Sequence, residues 1–387
     1  MSKVNRRHFI RKSSQILAGG IVAGTVMQHL EGCAKQKKQE VKQEQMKPAL
    51  EYRTLGKTGL KITAVGFGAM RTTDPAVITQ AIDWGINFID TAHGYQGGNN
   101  ELMLGEILKG RRKDAYVCTK LGMSSVKNMK ADFELSLKRL QTDYVDVLYM
   151  HAARDIEQIQ NEEFMNLYSE FKKEGKARFI GFSTHQNEAL LLSQAAKDKF
   201  WDVILTAYNF KREEALTNAI KEASEAGIGI VAMKTQAGGY DTEEMGGLSP
   251  HQAALKWVLQ NPHVNTTIPG ILTFDELAED FQVMNAKLGW NDRKKLYHYG
   301  LAIRGKYCTG CQSCKDQCPH GVDIPEMNRC YMYYEGYQDL EFARANYAGI
   351  GANLNASQCS SCDECNVVCI NGINLNERMH NINTLLA

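Results

Sequence analysis

Between Lys61 and Pro269, short apolar runs alternate eight times with longer amphipathic stretches. This alternation constrains the chain more than any other feature, because a strand that is apolar on both faces needs cover above and below it. Strand–helix–strand crossovers around a parallel sheet provide that cover. The predicted strands are Ile62–Gly66, Ile86–Asp90, Ala115–Lys120, Val145–His151, Ala177–Ser183, Val203–Tyr208, Ile228–Met233 and Thr266–Pro269. Helices are predicted between them, among them Ala76–Trp84, Met129–Leu140 and Gln252–Gln260. Eight such units over about 250 residues match an α/β fold of the (β/α)8 TIM-barrel type. A doubly wound sheet is the alternative, but no Gly-x-Gly-x-x-Gly opens a helix after the first strand to support it.

Barrels of this type carry their chemistry where the strands end. Asp90, Lys120, His151 and Ser183 each end one of four successive predicted strands, and Tyr95 lies in the loop after Asp90. Taken singly, each has a structural explanation, as a turn cap, a buried strand residue or a packed aromatic. Five at one rim point instead to a shared site.

The segments Gly66-Phe67-Gly68-Ala69-Met70-Arg71 and Phe88-Ile89-Asp90-Thr91-Ala92-His93-Gly94-Tyr95, the Lys of Cys118-Thr119-Lys120 and the His of Leu148-Tyr149-Met150-His151 occur in order. Together they resemble the aldo-keto reductase family over about Glu51 to Ala286. The resemblance implies a catalytic tetrad of Asp90, Tyr95, Lys120 and His151, with Tyr95 as general acid. A phenol with an ordinary pKa near ~10 is a poor proton donor at neutral pH. Lys120, held by Asp90, is expected to lower it, and His151 to hydrogen-bond the carbonyl oxygen.

The resemblance also implies nicotinamide-cofactor contacts from Gly68, Ala69, Met70, Asp90, Ser183, Thr184, Lys234, Glu279 and Asp280. Thr184 stands where the family usually has Asn, and Leu205 where many relatives have Gln. In the segment Ile268–Asp280 the family's Lys, Ser and Arg around the 2'-phosphate of NADP are replaced by Gly270, Ile271 and Glu276. A carboxylate there repels a phosphate, so NAD(H), held tightly enough to survive export, is expected over NADP(H).

Eight of the 11 cysteines fall in two runs, Cys308-x2-Cys311-x2-Cys314-x3-Cys318-Pro319 and Cys359-x2-Cys362-x2-Cys365-x3-Cys369. Such spacing is the signature of two-cluster ferredoxins, in which three close thiolates and one distant thiolate hold each 4Fe-4S cluster. The expected ligand sets are Cys308, Cys311, Cys314 and Cys369 for one cluster, and Cys359, Cys362, Cys365 and Cys318 for the other. Zinc prefers separated Cys pairs, and a disulfide scaffold would scatter its cysteines. The 40 residues between the runs read as helical around Ile324–Tyr334 and Asp339–Ala345, which resembles the α-helical ferredoxin type. Cys330 and Cys118 read as buried packing residues.

Asn5-Arg6-Arg7-His8-Phe9-Ile10-Arg11-Lys12 followed by the uncharged stretch Ser13–Met27 reads as an export signal, and its arginine pair resembles the twin-arginine type. Leu30-Glu31-Gly32-Cys33 resembles a lipobox, implying an acylated Cys33 as the chain's only hold on a membrane. The Lys- and Gln-rich segment 34–49 reads as a solvated tether. The expected organisation is therefore a signal over 1–33, the tether, a barrel over 50–300, and an iron-sulfur domain over 301–387, in a periplasmic or lipid-anchored protein. A formal net charge of +1 gives no footprint for nucleic acid.

These parts predict an oxidoreductase that interconverts a small carbonyl and its alcohol by hydride transfer and exchanges single electrons with an external redox partner through both clusters. A non-catalytic electron-transfer or scaffold subunit is the alternative.

Overall fold

In the computed structural model, eight parallel strands pair in sequential order. They are β3 (Phe67–Gly68), β4 (Phe88–Asp90), β5 (Tyr116–Leu121), β6 (Val145–Ala153), β7 (Ala177–Thr184), β8 (Val203–Ala207), β9 (Gly229–Met233) and β10 (Thr266–Thr267). Parallel bridges Val65↔Thr267 and Gly68↔Gly270 join the last strand to the first and close the sheet into a barrel. The structure describes residues 49–212, 214–240, 249–362 and 365–387. The arginine pair, Cys33 and the tether up to residue 48 lie outside them. Among the described residues no helix is long and apolar enough to cross a membrane.

The first predicted strand, Ile62–Gly66, needs correction. Lys61–Thr63 forms β2, which pairs antiparallel with β1 (Tyr52–Thr54) in a hairpin ahead of the barrel. Leu55, Leu60 and Ile62 from this hairpin pack against the inward residues Phe88, Cys118, Val147, Tyr149, Val203, Leu205 and Val231. The apolar character of Ile62 thus reflects a plug in the barrel's N-terminal end, and the barrel strand proper begins only after Val65. Leu205 and Cys118 are fully buried in this interior layer.

The predicted helices appear with small shifts at their ends, as Pro75–Asp83, Val126–Leu140 and Pro250–Leu259 around the barrel, and as Ile324–Glu335 and Leu340–Ala348 beyond it. Their starts are capped by side chains: Asp74, Ser125, Ser249, Asp323 and Asp339 each accept from a backbone N–H in the first turn.

Residue 300 lies inside one helix, Trp290–Ala302, which serves both halves of the molecule. Leu296 packs against Ala253 and Ala254 of the barrel, and Lys256 pairs with Asp292 at 2.8 Å. Tyr299 and Ile303 enter a second core with Val322, Ile324, Met327, Cys330, Ala343 and Met379. Two barrel-loop residues, Ala237 and Tyr240, belong to this same core.

The segment after residue 300 therefore docks on the C-terminal face of the barrel. Arg71 donates to Tyr337 O at 2.9 Å and stacks on its ring at 4.5 Å. Arg154 reaches Asp323 at 2.8 Å, and Asn209 donates to Tyr307 Oη at 2.9 Å. Backbones touch as well, since a Cβ on Gly336 would stand 2.3 Å from Gly238 O. Gly336→Ala should accordingly push the helix Ile324–Glu335 off the barrel at a cost of about 1–3 kcal/mol. A thermal melt unchanged from wild type would show that this contact does not hold the seam.

Candidate active site

Asp90 ends β4, Lys120 lies in β5 and His151 in β6, so parallel register alone places the three side by side at one rim. The chain after β4 keeps following β5, with Thr91 N donating to Cys118 O at 2.8 Å and His93 N to Lys120 O at 3.1 Å. This carries Tyr95 over the barrel mouth. The turn behind it is held in place: Gln96, in a left-handed conformation (φ 52°), donates to Thr72 O at 2.8 Å, and Asn100 donates to Ala69 O at 2.8 Å.

Lys120 Nζ donates to Asp90 Oδ1 at 2.5 Å and to Thr91 O at 2.6 Å, with both charged side chains almost fully buried. It also stands 4.7 Å from the centre of the Tyr95 ring, and the Tyr95 and His151 rings meet edge to face at 5.9 Å. All four tetrad residues are thus within reach of one another. His151 sits at an irregularity of β6: the register with β7 shifts between Met150 and Ala153, and Ala152 has φ 59°. Ser183 Oγ accepts from Ala152 N at 2.9 Å and so fixes this kink from the neighbouring strand.

Burial dominates the protonation of the site. It works to lower Lys120, but Asp90 and Tyr95 outweigh it and hold the ammonium charged. Burial, with Lys120 and Arg329 adding to it, drives His151 down to about 3, so this imidazole is neutral. Tyr95 departs from expectation. Its pKa is raised, because burial outweighs the opposing pull of Lys120. The phenol is therefore held protonated, and Lys120 offsets only part of the cost of its phenolate.

The other expected contact residues are placed as follows. Gly68 closes the barrel, its N donating to Pro269 O at 3.0 Å, and a Cβ there would stand 2.7 Å from Ile268 O. The backbone oxygens of Ala69 and Met70 are taken by Asn100 and Gln96. Thr184 turns its hydroxyl to Gln186 O at 2.6 Å, within its own loop. Glu276 folds back so that its carboxylate accepts from Leu272 N at 2.7 Å. Asp280 is buried, accepts from Gln236 at 2.8 Å, and is pushed well above the usual carboxylate range by burial and by the charges of Glu279 and Glu276. Gly270 lies beside the Arg71 side chain, but the Arg71 guanidinium is turned to Tyr337 O and Asp339.

Lys234 faces the other way, with its ammonium 5.3 Å from the Tyr333 ring on the helix Ile324–Glu335. Burial, aided by Arg329 and Arg212, lowers it to about 7. Arg329 and Glu326 of the same helix reach the mouth of the barrel, where their charges bear on His151. These residues were not legible as site residues. Their only sequence signal was an acid–base pair three apart on a predicted helix, which usually marks a solvated face.

The cysteines gather in two groups that exchange their last members. The Cys308 thiol is raised by burial and, more weakly, by Cys311 and Cys369; Cys314, raised to about 12, has Cys308, Cys311 and Cys369 as its neighbours. Cys359, raised to about 11, has Cys318, Cys362 and Cys365. Those last four line a cavity of about 460 Å3. Gly310 N donates to Cys308 Sγ at 3.4 Å, and Asn371 Nδ2 to Cys311 Sγ at 3.7 Å. Among the described residues no group of three His, Cys, Asp or Glu side chains is drawn together tightly enough to hold a single metal ion. Cys118 and Cys330 are buried apart from both groups.

Comparison with known proteins agrees with the barrel. Residues 64–246 match the model of the aldo/keto reductase family. The chain is 34% identical over 219 residues to L-galactose dehydrogenase of Arabidopsis thaliana, covering 50% of this chain and 68% of that protein. It is 26% identical over 257 residues to methylglyoxal reductase DkgB of Escherichia coli O157:H7, covering 61% and 92%. Among solved structures, the holo form of aldo-keto reductase AKR11C1 from Bacillus halodurans superposes with a TM-score of 0.55 at 26% identity, over 65% of this chain and 96% of that one.

The depressed His151 has a consequence for stability. Its folded pKa of about 3 lies below the ordinary 6.5, so between these values only the unfolded chain takes up the proton, and stability falls as pH drops from 6.5 toward 3. In urea melts at pH 7 and pH 5, His151→Gln should lose less stability than wild type, by on the order of 1–2 kcal/mol. Equal losses in the two proteins would mean the imidazole is not held neutral.

Proposed function

The chain belongs to the aldo/keto reductase family, and from that premise we propose that it is an exported oxidoreductase. It interconverts a small carbonyl compound and its alcohol, and exchanges the two electrons of this reaction one at a time with an external redox partner through two 4Fe-4S clusters carried by residues 301–387. The observation that carries the reading is the buried Asp90–Lys120 pair placed against Tyr95 and His151.

A nicotinamide cofactor, which the family uses, supplies the hydride. The site fits its reacting end. Asp90 Oδ2 is buried with no partner among the described residues, and Ser183 presents a buried hydroxyl on the neighbouring rim. At the far end Glu276, Glu279 and Asp280 make the segment acidic, and Glu276 is anchored to the backbone it caps. We therefore assign NAD(H) rather than NADP(H), because a 2'-phosphate would meet carboxylates where it needs cations.

Tyr95 acts as the proton donor. Its neutral phenol gives its proton to the carbonyl oxygen, and the resulting phenolate is stabilised by the Lys120 ammonium, which Asp90 keeps in place. Neutral His151 donates a hydrogen bond to the same oxygen and leaves the proton transfer to Tyr95. The helix Ile324–Glu335 brings the charges of Arg329 and Glu326 to this pocket, where Tyr95 and His151 stay partly exposed. Oxidation of the alcohol uses the same residues in reverse.

The crossed grouping of Cys308, Cys311, Cys314 and Cys369, and of Cys359, Cys362, Cys365 and Cys318, supports the two clusters. N–H donors already point at two of the sulfurs, as sites that adjust cluster potential require. The leader supports export of the folded protein and anchoring at Cys33, and both belong to this proposal. One observation favours a second reading, a non-catalytic electron-transfer subunit: Glu276 is used to fasten its own loop, as a retired cofactor segment allows.

Tyr95→Phe separates the two readings. Turnover should fall by about 10²–10⁴ while iron content and the visible spectrum of the anaerobically purified protein stay unchanged. A variant as active as wild type would leave only the subunit reading. For the cofactor, NADH should bind more tightly than NADPH in a fluorescence titration, and the opposite order would overturn the assignment.

A further inference from the structure

Between the barrel mouth and the C-terminal segment lies a cavity of about 30 Å3 that the chemistry above does not use. His185, Arg212 and Lys234 line it from the barrel, and Glu326 and Arg329 from the helix Ile324–Glu335. Its volume exceeds the ~10–15 Å3 that one water needs and is on the scale of a small polar head group.

The charges around it do not balance. Arg212 is matched by Glu188 at 3.0 Å, and Arg329 is matched by Glu326 through a two-pronged contact, one arm at 2.9 Å. The Lys234 ammonium has neither a hydrogen bond nor an ion pair among the described residues. Lys234, partly exposed and lowered to about 7, is therefore the one basic side chain of the described lining without an opposite charge in direct contact, and a bound anion would favour its charged form. The Asn328 side chain, 2% exposed, also lines the cavity, and its Oδ1 has no donor. A ligand hydroxyl or a water can fill that role.

The cavity is coupled to the catalytic residues. The charge of Arg329 bears on both Tyr95 and His151, and His185 is close enough to His151 that protonation of one would oppose protonation of the other. The acidic cofactor segment lines none of it. We propose that this seam cavity binds the carboxylate of the substrate, with Lys234 as its receptor, so that the preferred substrates are small 2-oxo acids or 2-hydroxy acids. This deepens the oxidoreductase reading and rests on it for the word substrate.

Two measurements on the full-length, anaerobically purified protein test the proposal. In thermal-shift titrations oxamate, an anion, should stabilise the protein, and oxamide, its neutral counterpart, should not. Lys234→Met should weaken oxamate binding by about tenfold or more, the scale of losing one charge-assisted contact. In turnover, glyoxylate should be preferred over neutral glycolaldehyde by about tenfold in kcat/KM, a preference the variant loses. Equal shifts by oxamate and oxamide in wild type would overturn the site without relying on any variant's folding. Activity on glycolaldehyde with no preference for glyoxylate would overturn the site and leave the oxidoreductase standing. Selective oxamate binding without turnover of any substrate would support the anion site and sink the enzyme reading.

Discussion

The contact between Lys120 and Asp90 is the constraint on which the rest of the site depends. Two charges taken out of water cost several kcal/mol each, and their attraction offsets this only with good geometry and further hydrogen bonds. Here the geometry comes from adjacent parallel strands, and the further bond from Thr91 O. A site of this kind needs a rigid frame. The interior layer of Phe88, Cys118, Tyr149 and Leu205 beneath it, and the hairpin that closes the far end, supply one.

Burial then decides what each group can do. With the helix Ile324–Glu335 at the mouth, His151 is neutral and can only donate or accept a hydrogen bond, while Tyr95 stays protonated despite the ammonium beside it. The cover is therefore a chemical element of the site as well as a structural one. It brings Glu326 and Arg329 to the rim, and it turns Lys234, on a loop expected to face a cofactor, toward the Tyr333 ring of that helix. A barrel and a C-terminal segment joined by a loose linker would have neither property. Here a shared helix, Trp290–Ala302, and a shared core make them one body.

The same docking gives the cysteine segment a direction. Cys308 lines the seam cavity beside His185 and Lys234, whereas Cys318, Cys359, Cys362 and Cys365 line a separate, larger cavity. Cys308 thus lies against the barrel mouth, and the second group lines a cavity apart from it. Arg212 fastens the nearer group by donating to Thr309 O from the loop after β8.

Much of this was legible in the linear sequence because it is set by local periodicity and spacing. Strand and helix alternation follows from which residues must be covered. The positions of Asp90, Lys120 and His151 at successive strand ends follow from parallel order, and the grouping of cysteines from intervals of two and three residues. Ile62 was misread because an apolar alternation looks the same in a plug as in a barrel wall. The lowering expected for Tyr95 failed because burial outweighs the pull of Lys120, and burial is set by packing that no local pattern shows. Only the tertiary structure decided which face of the barrel the helix Ile324–Glu335 meets, and therefore which of its charges enter the pocket. Docking depends on surface shape, on paired charges such as Arg154 with Asp323 and on polar contacts such as Arg71 with the Tyr337 carbonyl, and no local pattern along the chain encodes who will meet whom.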